Sequence, residues 1–309
     1  LDNKGLCNLT TINVFSFVLP DGSIDRVGLL KAQRMSARAG YRMTCVELEL
    51  PKWDAVQKRD KLVGCSLTGW QDMVNATNMS REDEKDLLAE LREVAHVAVE
   101  EMAHITGGNV PLLTCTVKPE GSLSQLPTVS SGVHYSHSPF YIRRVRINSD
   151  DPLVKVVDDL GFPIHPENGQ EWETCKTKVV EFPVKSPNGK TKYDVSAIEQ
   201  LENYLMFQKY YTDHNTSITV HVRNDEWEEV EEFVWENWDD IVAVSFLSLD
   251  DSFYKLLPYE AITEEEYNLR WSEVEGKNIT PNKIAKYEEE EIELDIGTDG
   301  CDTGVCPIR

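Results

Sequence analysis

Two cysteines stand near the end of the sequence, Cys301 and Cys306 in GCDTGVC, just after the acidic run KYEEEEIELDI. Two thiols this close suit thiol–disulfide exchange, in which one accessible thiolate attacks and a second thiol resolves the mixed disulfide. Gly300 and Gly304 favour a pliant segment, and about 15 residues of extended chain could carry the pair roughly 50 Å. A zinc half-site is the second use of such a pair, but no further cysteine or histidine pair at ligand spacing lies nearby. An incidental pair on a tail is the third. Cys7, in GLCNLTT, opens a β-branched stretch, where a buried structural cysteine and a chemically used thiol look alike.

TVKPEGSLSQL holds the other candidate chemistry. An apolar run enters Pro119-Glu120-Gly121, and Ser122-Leu123-Ser124 then opens a helix-like segment. Free N–H groups, small hydroxyl side chains and a glycine for close approach suit a phosphate. The segment is not a Walker loop, which would end in Gly-Lys-Ser/Thr. A plain strand–turn–helix would carry the same residues, and residue type does not choose between the two. SSGVH, Ser130 to His134, could form a second wall of small residues for the same pocket. Arg143, Arg144 and Arg146 in YIRRVRI read as a salt-bridged strand. His134 and His137 have no evident third ligand, so no metal site is expected. His96, His104 and His214 read as ordinary helix or turn residues, and Cys45, Cys65, Cys115 and Cys175 as packing thiols.

These residues need elements to position them. LCNLTTINVFSFVLP reads as a strand ending at Pro20, followed by a helix with Ser23 as its N-cap. GCSLTGWQDMVNAT reads as a turn and short helix. The clearest helix starts after Ser80, with acids in its first turn, and Leu87, Leu88, Leu91, Val94, Ala95, Ala98, Met102 and Ile105 at helical spacing until TGGN stops it. VPLLTCTV, YIRRVRI, KVVEFPVK, TSITVHV and IVAVSFLSL read as strands, the first and the last of them buried. SAIEQLENYLMFQKYY and DEWEEVEEFVWENWDD read as helices. The alternation gives an α/β class. From about Ile262 the core-building pattern fades, and a disordered stretch is expected from Glu288.

The 309 residues carry a formal net charge of −23 and 40% apolar residues. A real core is affordable at that composition. A nucleic-acid or anionic-membrane partner is disfavoured, whereas one local basic pocket could still take a nucleotide. No apolar run approaches the roughly 20 residues of a membrane span. Seven cysteines at irregular spacing fit a reducing cytoplasm better than a secreted disulfide framework. No leader is evident, and a start at Leu1 without Met suggests a processed, excised or split chain.

Taken in order, LCNLTTINV, GCSLTGWQDMV, TCTVKPEGSLSQLPTVSSGVH, FYIRRVR, VVEFPVK, YYTDHNTSITVHV, WENWDDIVAVSFLSLDD, LLPYE and CDTGVCPIR resemble the downstream part of a ribonucleotide reductase catalytic chain. The resemblance is to the adenosylcobalamin-dependent, class II, monomeric type that reduces nucleoside triphosphates, and it is weakest at about 261–295. It implies the second half of a ten-stranded α/β barrel over residues 1–260, with an acidic linker and redox-active dithiol tail over 261–309. It implies that Cys7 is one of the two cysteines that reduce substrate and become a disulfide. It implies that Glu120, Gly121, Ser122, Leu123 and Ser124 hold the substrate phosphates. Cys301 and Cys306 would re-reduce the active-site disulfide and would themselves be reduced by thioredoxin or a similar protein. The cofactor implied is adenosylcobalamin, whose homolysis yields a cysteine thiyl radical. That radical removes the ribose 3′ hydrogen, and the 2′ hydroxyl leaves as water. The family's NPCGE-type motif, which bears the radical cysteine, is not in this sequence, so an N-terminal half is the expected partner. A class I catalytic chain, a non-catalytic nucleotide-binding relative and a dithiol redox carrier are the alternatives.

Overall fold

The computed structural model describes residues 3–249 and 255–288. Cys301 and Cys306 lie outside the described residues. The chain divides into two compact units, residues 1–137 with 186–251, and residues 138–185 with 252–309.

In the first unit, β1 is Asn8–Asn13, where Thr10, Thr11 and Ile12 favour the extended backbone. It is shorter than expected because the Asn13 side chain accepts the Phe15 N–H and turns Val14–Phe17 into a 3-10 turn. Helix α1, Arg26–Met43, is capped by Asp25. Ser23 is unavailable as the cap, since its N–H and hydroxyl both bond the Asp21 carboxylate. Helix α2, Pro51–Asp60, leads to β2, Val63–Thr68, which is buried at every position and parallel to β1. The sequence reading took GCSLT for a turn. A parallel strand covered on both faces needs no polar–apolar alternation, and Gly64, Cys65 and Ser66 have little strand preference of their own.

Helix α3, Trp70–Thr77, precedes α4, Arg81–Thr106. There Ser80 accepts the Asp83 N–H, acids fill the first turn, and Gly107 at φ +68° ends the helix. Leu87, Leu88, Leu91, Ala95, Ala98 and Met102 of its apolar stripe share one core with Leu29, Ala37 and Tyr41 of α1. The segment 115–117 then lies parallel beside β2, with Cys115 bridged to Cys65 and Val117 bridged to Thr216. After α6, Ala197–Tyr210, comes β6, Thr219–Val222. After α7, Trp227–Glu236, β7, Ser245–Ser248, pairs parallel with β6. Neighbours in space thus follow chain order, β1, β2, 115–117, 216–222 and β7, with helices in the connections. This is the α/β arrangement expected of part of a parallel barrel. Two strand expectations fail: VPLLTCTV forms only isolated bridges at Cys115 and Val117, with Val110 and Leu112 exposed, and β7 is largely exposed rather than buried. It stands at the outer edge of the row, and among the described residues it pairs only with β6.

The second unit is an antiparallel sheet in the order β4-β5-β3-β8. Its strands are β3, Phe140–Asn148, β4, Ile164–Pro166, β5, Thr177–Lys185, and β8, Tyr259–Ala261. Val154 and Val157 of α5, Pro152–Asp159, and Val274 of α8, Glu264–Val274, close a small core with Ile147, Phe162 and Val180. The arginines of IRRVR are salt-bridged, Arg144 to Glu181 at 2.7 Å and to Glu260 at 2.6 Å, and Arg146 to Glu167 at 2.5 Å. Contacts do not divide the chain at residue 260, because β8 pairs with β3 and Arg270 of α8 reaches Glu181 at 2.9 Å. Thr263 caps α8 and three glutamates fill its first turn, so helix-end electrostatics supports a segment with little apolar pattern.

Candidate functional site

Cys7 immediately precedes β1 and is half-buried. Its Sγ lies 3.9 Å from His214 Nε2, and the same nitrogen is 2.9 Å from the Val63 carbonyl. Burial pushes the thiol up to about 11, so it rests protonated at neutral pH. Gly64 on β2 makes room for it. A Cβ there would stand 3.0 Å from Cys7 Sγ, 2.4 Å from Leu9 and 3.0 Å from Thr116.

Four residues along β1 from Cys7, Thr11 meets the loop that leaves segment 115–117. Glu120 Oε1 accepts from Thr11 Oγ1 at 2.7 Å and from Ser66 Oγ at 2.8 Å. Lys118 Nζ lies 3.0 Å from Thr11 Oγ1 and 3.5 Å from Glu120 Oε1. The Lys118 N–H donates to Ser66 Oγ at 2.9 Å. Three neighbouring segments are thereby tied together at one end of the row. At about 3.3 Å per residue, this knot sits about 13 Å along the strand from Cys7.

Within the loop, Glu120 takes φ +59° while only 4% exposed, a left-handed backbone that non-glycine residues rarely adopt. The carboxylate bonds to Thr11 and Ser66 hold it there. The helix expected after Gly121 is a single 3-10 turn, Leu123–Gln125, too short to present a helix macrodipole. What the loop offers is local. Gly121, Ser122 and Leu123 are exposed. A Cβ on Gly121 would meet nothing within 4 Å. Among the described residues, no acceptor takes the N–H of Ser122 or Leu123. Ser124 is buried, its N–H donating to the Glu120 carbonyl at 3.0 Å and its Oγ 3.1 Å from Ser131 Oγ.

That last contact brings the SSGVH wall against the loop. Buried Asp72 of α3 accepts the Ser130 N–H at 2.6 Å and the Ser136 hydroxyl at 3.3 Å, and burial raises its pKa. Thr68 Oγ1 donates to the Ser130 carbonyl at 3.0 Å and accepts the Gly132 N–H at 3.1 Å. Gly132 has φ +54°, and a Cβ on it would stand 2.7 Å from the Lys118 carbonyl. Two of the four buried polar side-chain atoms without a partner among the described residues, Glu120 Oε2 and Ser130 Oγ, lie on these two stretches.

His134 uses both ring nitrogens within the fold. Nδ1 is 2.8 Å from the Ser131 carbonyl, and Nε2 accepts the Thr219 N–H at 2.9 Å. The proton therefore sits on Nδ1 and the ring is neutral, as its burial also favours. His96, Cys115 and Asp213 bring donor atoms within 4.8 Å of one another, but the Asp213 carboxylate is already engaged. It accepts from Arg92 at 2.5 Å, His96 at 2.8 Å, and the N–H groups of Thr114 and Cys115 at 3.0 Å each. Burial opposes its ionisation, yet the bonds from His96, Cys115 and Arg92 hold it well below the usual carboxylate range. This is a clamp between α4 and the segment at 115. Cys65 and Cys115 are buried thiols.

Thr11, Ser66 and Asp72 are not singled out by the sequence, and His214, which reads there as an ordinary turn residue, lies beside Cys7. Single hydroxyls and carboxylates carry no spacing signal, and only parallel pairing of distant strands brings them together. Lys118 stood inside the loop motif and could have been singled out as its one cation.

No family model matches the chain. Over its whole length it is 25% identical to an adenosylcobalamin-dependent ribonucleoside-triphosphate reductase of Lactobacillus gasseri. It is 29% identical, over 98% of the chain, to a putative reductase of the same name from Mycobacterium phage D29. The chain spans 44% of the length of each. The crystal structure of a B12-dependent, class II ribonucleotide reductase superposes on 94% of the chain and 43% of its own, with a TM-score of 0.77 at 21% identity. In sequence along its full length, and in fold, the chain is similar to the C-terminal portion of the adenosylcobalamin-dependent ribonucleoside-triphosphate reductases.

Proposed function

We propose that the chain is the downstream part of a ribonucleotide reductase that converts ribonucleoside triphosphates to deoxyribonucleoside triphosphates. The observation that carries this reading is the placement of a protonated thiol, Cys7, about one strand length from a loop with open N–H donors at Ser122 and Leu123. A nucleotide anchored by its phosphates at Gly121–Ser124 would point its ribose along the strand row toward Cys7. Glu120 positions the loop through Thr11 and Ser66. The reduction consumes two thiols: they give up two protons and two electrons and become a disulfide, one hydrogen takes the place of the 2′ hydroxyl on the sugar, and the hydroxyl leaves with the other as water. Cys7 supplies one thiol, and the second belongs to the upstream polypeptide. A thiol held protonated by burial suits hydrogen donation, and for the same reason resetting the disulfide needs an outside thiolate. Cys301 and Cys306 are assigned that task, with thioredoxin or a similar dithiol protein as their reductant.

Adenosylcobalamin stands in the relatives' names and would supply the radical when bound. Two clefts of unit 1, one of about 610 Å³ lined by Arg81, Lys85 and Tyr210 and another of about 400 Å³ lined by Trp227, Trp235 and Trp238, are lined by neither Cys7 nor the loop. The cofactor is assigned to the enzyme assembled with an upstream polypeptide that carries the NPCGE cysteine. No helix of the described residues is long and apolar enough to cross a membrane, and a cytoplasmic site of action fits nucleotide chemistry.

The test is reconstitution. The chain is mixed with an upstream half bearing NPCGE, and deoxynucleotide formation is assayed with and without adenosylcobalamin. Product is expected only from the mixture with cofactor. Full activity from this chain alone would defeat the reading.

A further inference from the structure

Lys192 is half-buried in unit 1, in a protein with 54 acidic residues against 31 lysines and arginines. No carboxylate among the described residues pairs with its ammonium, which lies 5.0 Å from the centre of the Tyr193 ring. Asp194, two residues on, is taken up by the N–H and hydroxyl of Thr191 at 2.8 Å each. A cation withdrawn from water without a counter-ion is costly, and burial pulls this one down to about 8. His137 and His221 share its surroundings. Burial first, and then the charge on Lys192, holds them near 3 and 4 respectively. His134 also faces His221, and the Tyr193 ring stands 6.2 Å from the His137 ring.

This cluster adjoins the loop. The Lys192 N–H donates to the Ser136 carbonyl at 2.9 Å, and Asp72 holds Ser136 and Ser130 together. Ser131 contacts Ser124. His134 ties β6 to the same wall: its Nε2 accepts the N–H of Thr219, two residues before His221, at 2.9 Å, and its Nδ1 lies 2.8 Å from the carbonyl of Ser131. An uncompensated ammonium and two imidazoles therefore stand against segment 130–136, which contacts the loop at Ser124.

We propose that Lys192, with His137 and His221, is an anion subsite that takes the outermost phosphate of a nucleotide whose inner phosphates meet Gly121–Ser124. The proposal rests on the reading of that loop as a phosphate site. The incoming phosphate supplies the counter-ion that Lys192 lacks, and its charge favours protonation of the imidazoles, so binding takes up protons.

The test is calorimetric titration of the 309-residue chain, in EDTA, with inorganic pyrophosphate and tripolyphosphate in two buffers of different ionisation enthalpy. The wild type is expected to prefer tripolyphosphate, with proton uptake. Lys192→Met should weaken tripolyphosphate about tenfold and pyrophosphate less than about twofold, abolish most of the uptake, and melt a few degrees higher because an unpaired cation is gone. Lys192→Arg should keep the preference. If Lys192→Met does not fold, His221→Asn should lower proton uptake and tripolyphosphate affinity together. An unchanged affinity ratio in a folded Lys192→Met chain overturns the proposal, and so does a wild type that binds neither anion. Ser122→Asp separates the two ideas. If it weakens both anions, the loop reading stands whatever Lys192 does. If it weakens neither while Lys192→Met weakens tripolyphosphate, the loop reading fails and the lysine site remains.

Discussion

At the scale of single residues, small side chains and buried charges set the chemistry. Gly64 leaves the space that Cys7 occupies. Gly64→Ala is expected to push the thiol out of its half-buried position and raise its alkylation rate by iodoacetamide several-fold; an unchanged rate would show that the close approach is immaterial. Asp213 holds α4 to the segment at 115. Asp213→Asn should cost about 2 kcal/mol in urea unfolding, less than a fully buried pair, because Arg92 and His96 stay 38% and 36% exposed. The sign with pH follows from proton counting. Asp213 is depressed in the folded state, so its contribution is present above about pH 4 and is lost as pH falls. His137 and His221 are depressed from 6.5 to about 3 and about 4. The unfolded chain binds protons that the folded one refuses, so stability should start to fall below about pH 6.5 and go on falling toward pH 4. Urea midpoints between pH 8 and 5 should show this slope, and His221→Asn should flatten it. A flat profile in the wild type would contradict the burial of these rings.

At the scale of elements, the most legible parts had a local cause. Ser80, the acids after it and Gly107 give the ends of α4 as read. YIRRVRI and KVVEFPVK, both read as strands, form β3 and β5, which pair over their whole length. The loop at Glu120–Ser124 was legible as a motif but not in its geometry, since the expected helix is a single turn and the left-handed residue is Glu120 rather than a glycine. Strand β2 was missed because its burial comes from parallel neighbours and not from its own pattern. The exposure of β7 was missed because apolar sequence does not say which strand ends a row. Gly132 belongs to this scale as well, since it lets the SSGVH wall lie on the Lys118 carbonyl. Gly132→Val should weaken pyrophosphate binding by about tenfold while circular dichroism stays unchanged; full affinity would detach the wall from the anion site.

At the scale of the whole molecule, the chain holds Cys7, proposed as one reducing thiol, a candidate phosphate loop and a terminal cysteine pair, but no NPCGE motif. Cys301→Ser or Cys306→Ser in the reconstituted enzyme should allow about one turnover with thioredoxin, while a small dithiol restores cycling, because the two reductants reach the buried disulfide by different routes. Unimpaired thioredoxin-driven cycling in both variants would remove the tail from the account. The most direct measurement concerns Cys7 itself. The reconstituted enzyme carrying both Cys301→Ser and Cys306→Ser, so that the tail cannot reset the disulfide, is given nucleotide and adenosylcobalamin without external reductant, quenched, unfolded and alkylated, and Cys7 is read by mass spectrometry. Cys7 should become resistant to alkylation in proportion to deoxynucleotide formed, and should recover after dithiothreitol. Product formed with Cys7 still fully alkylatable would contradict the assignment.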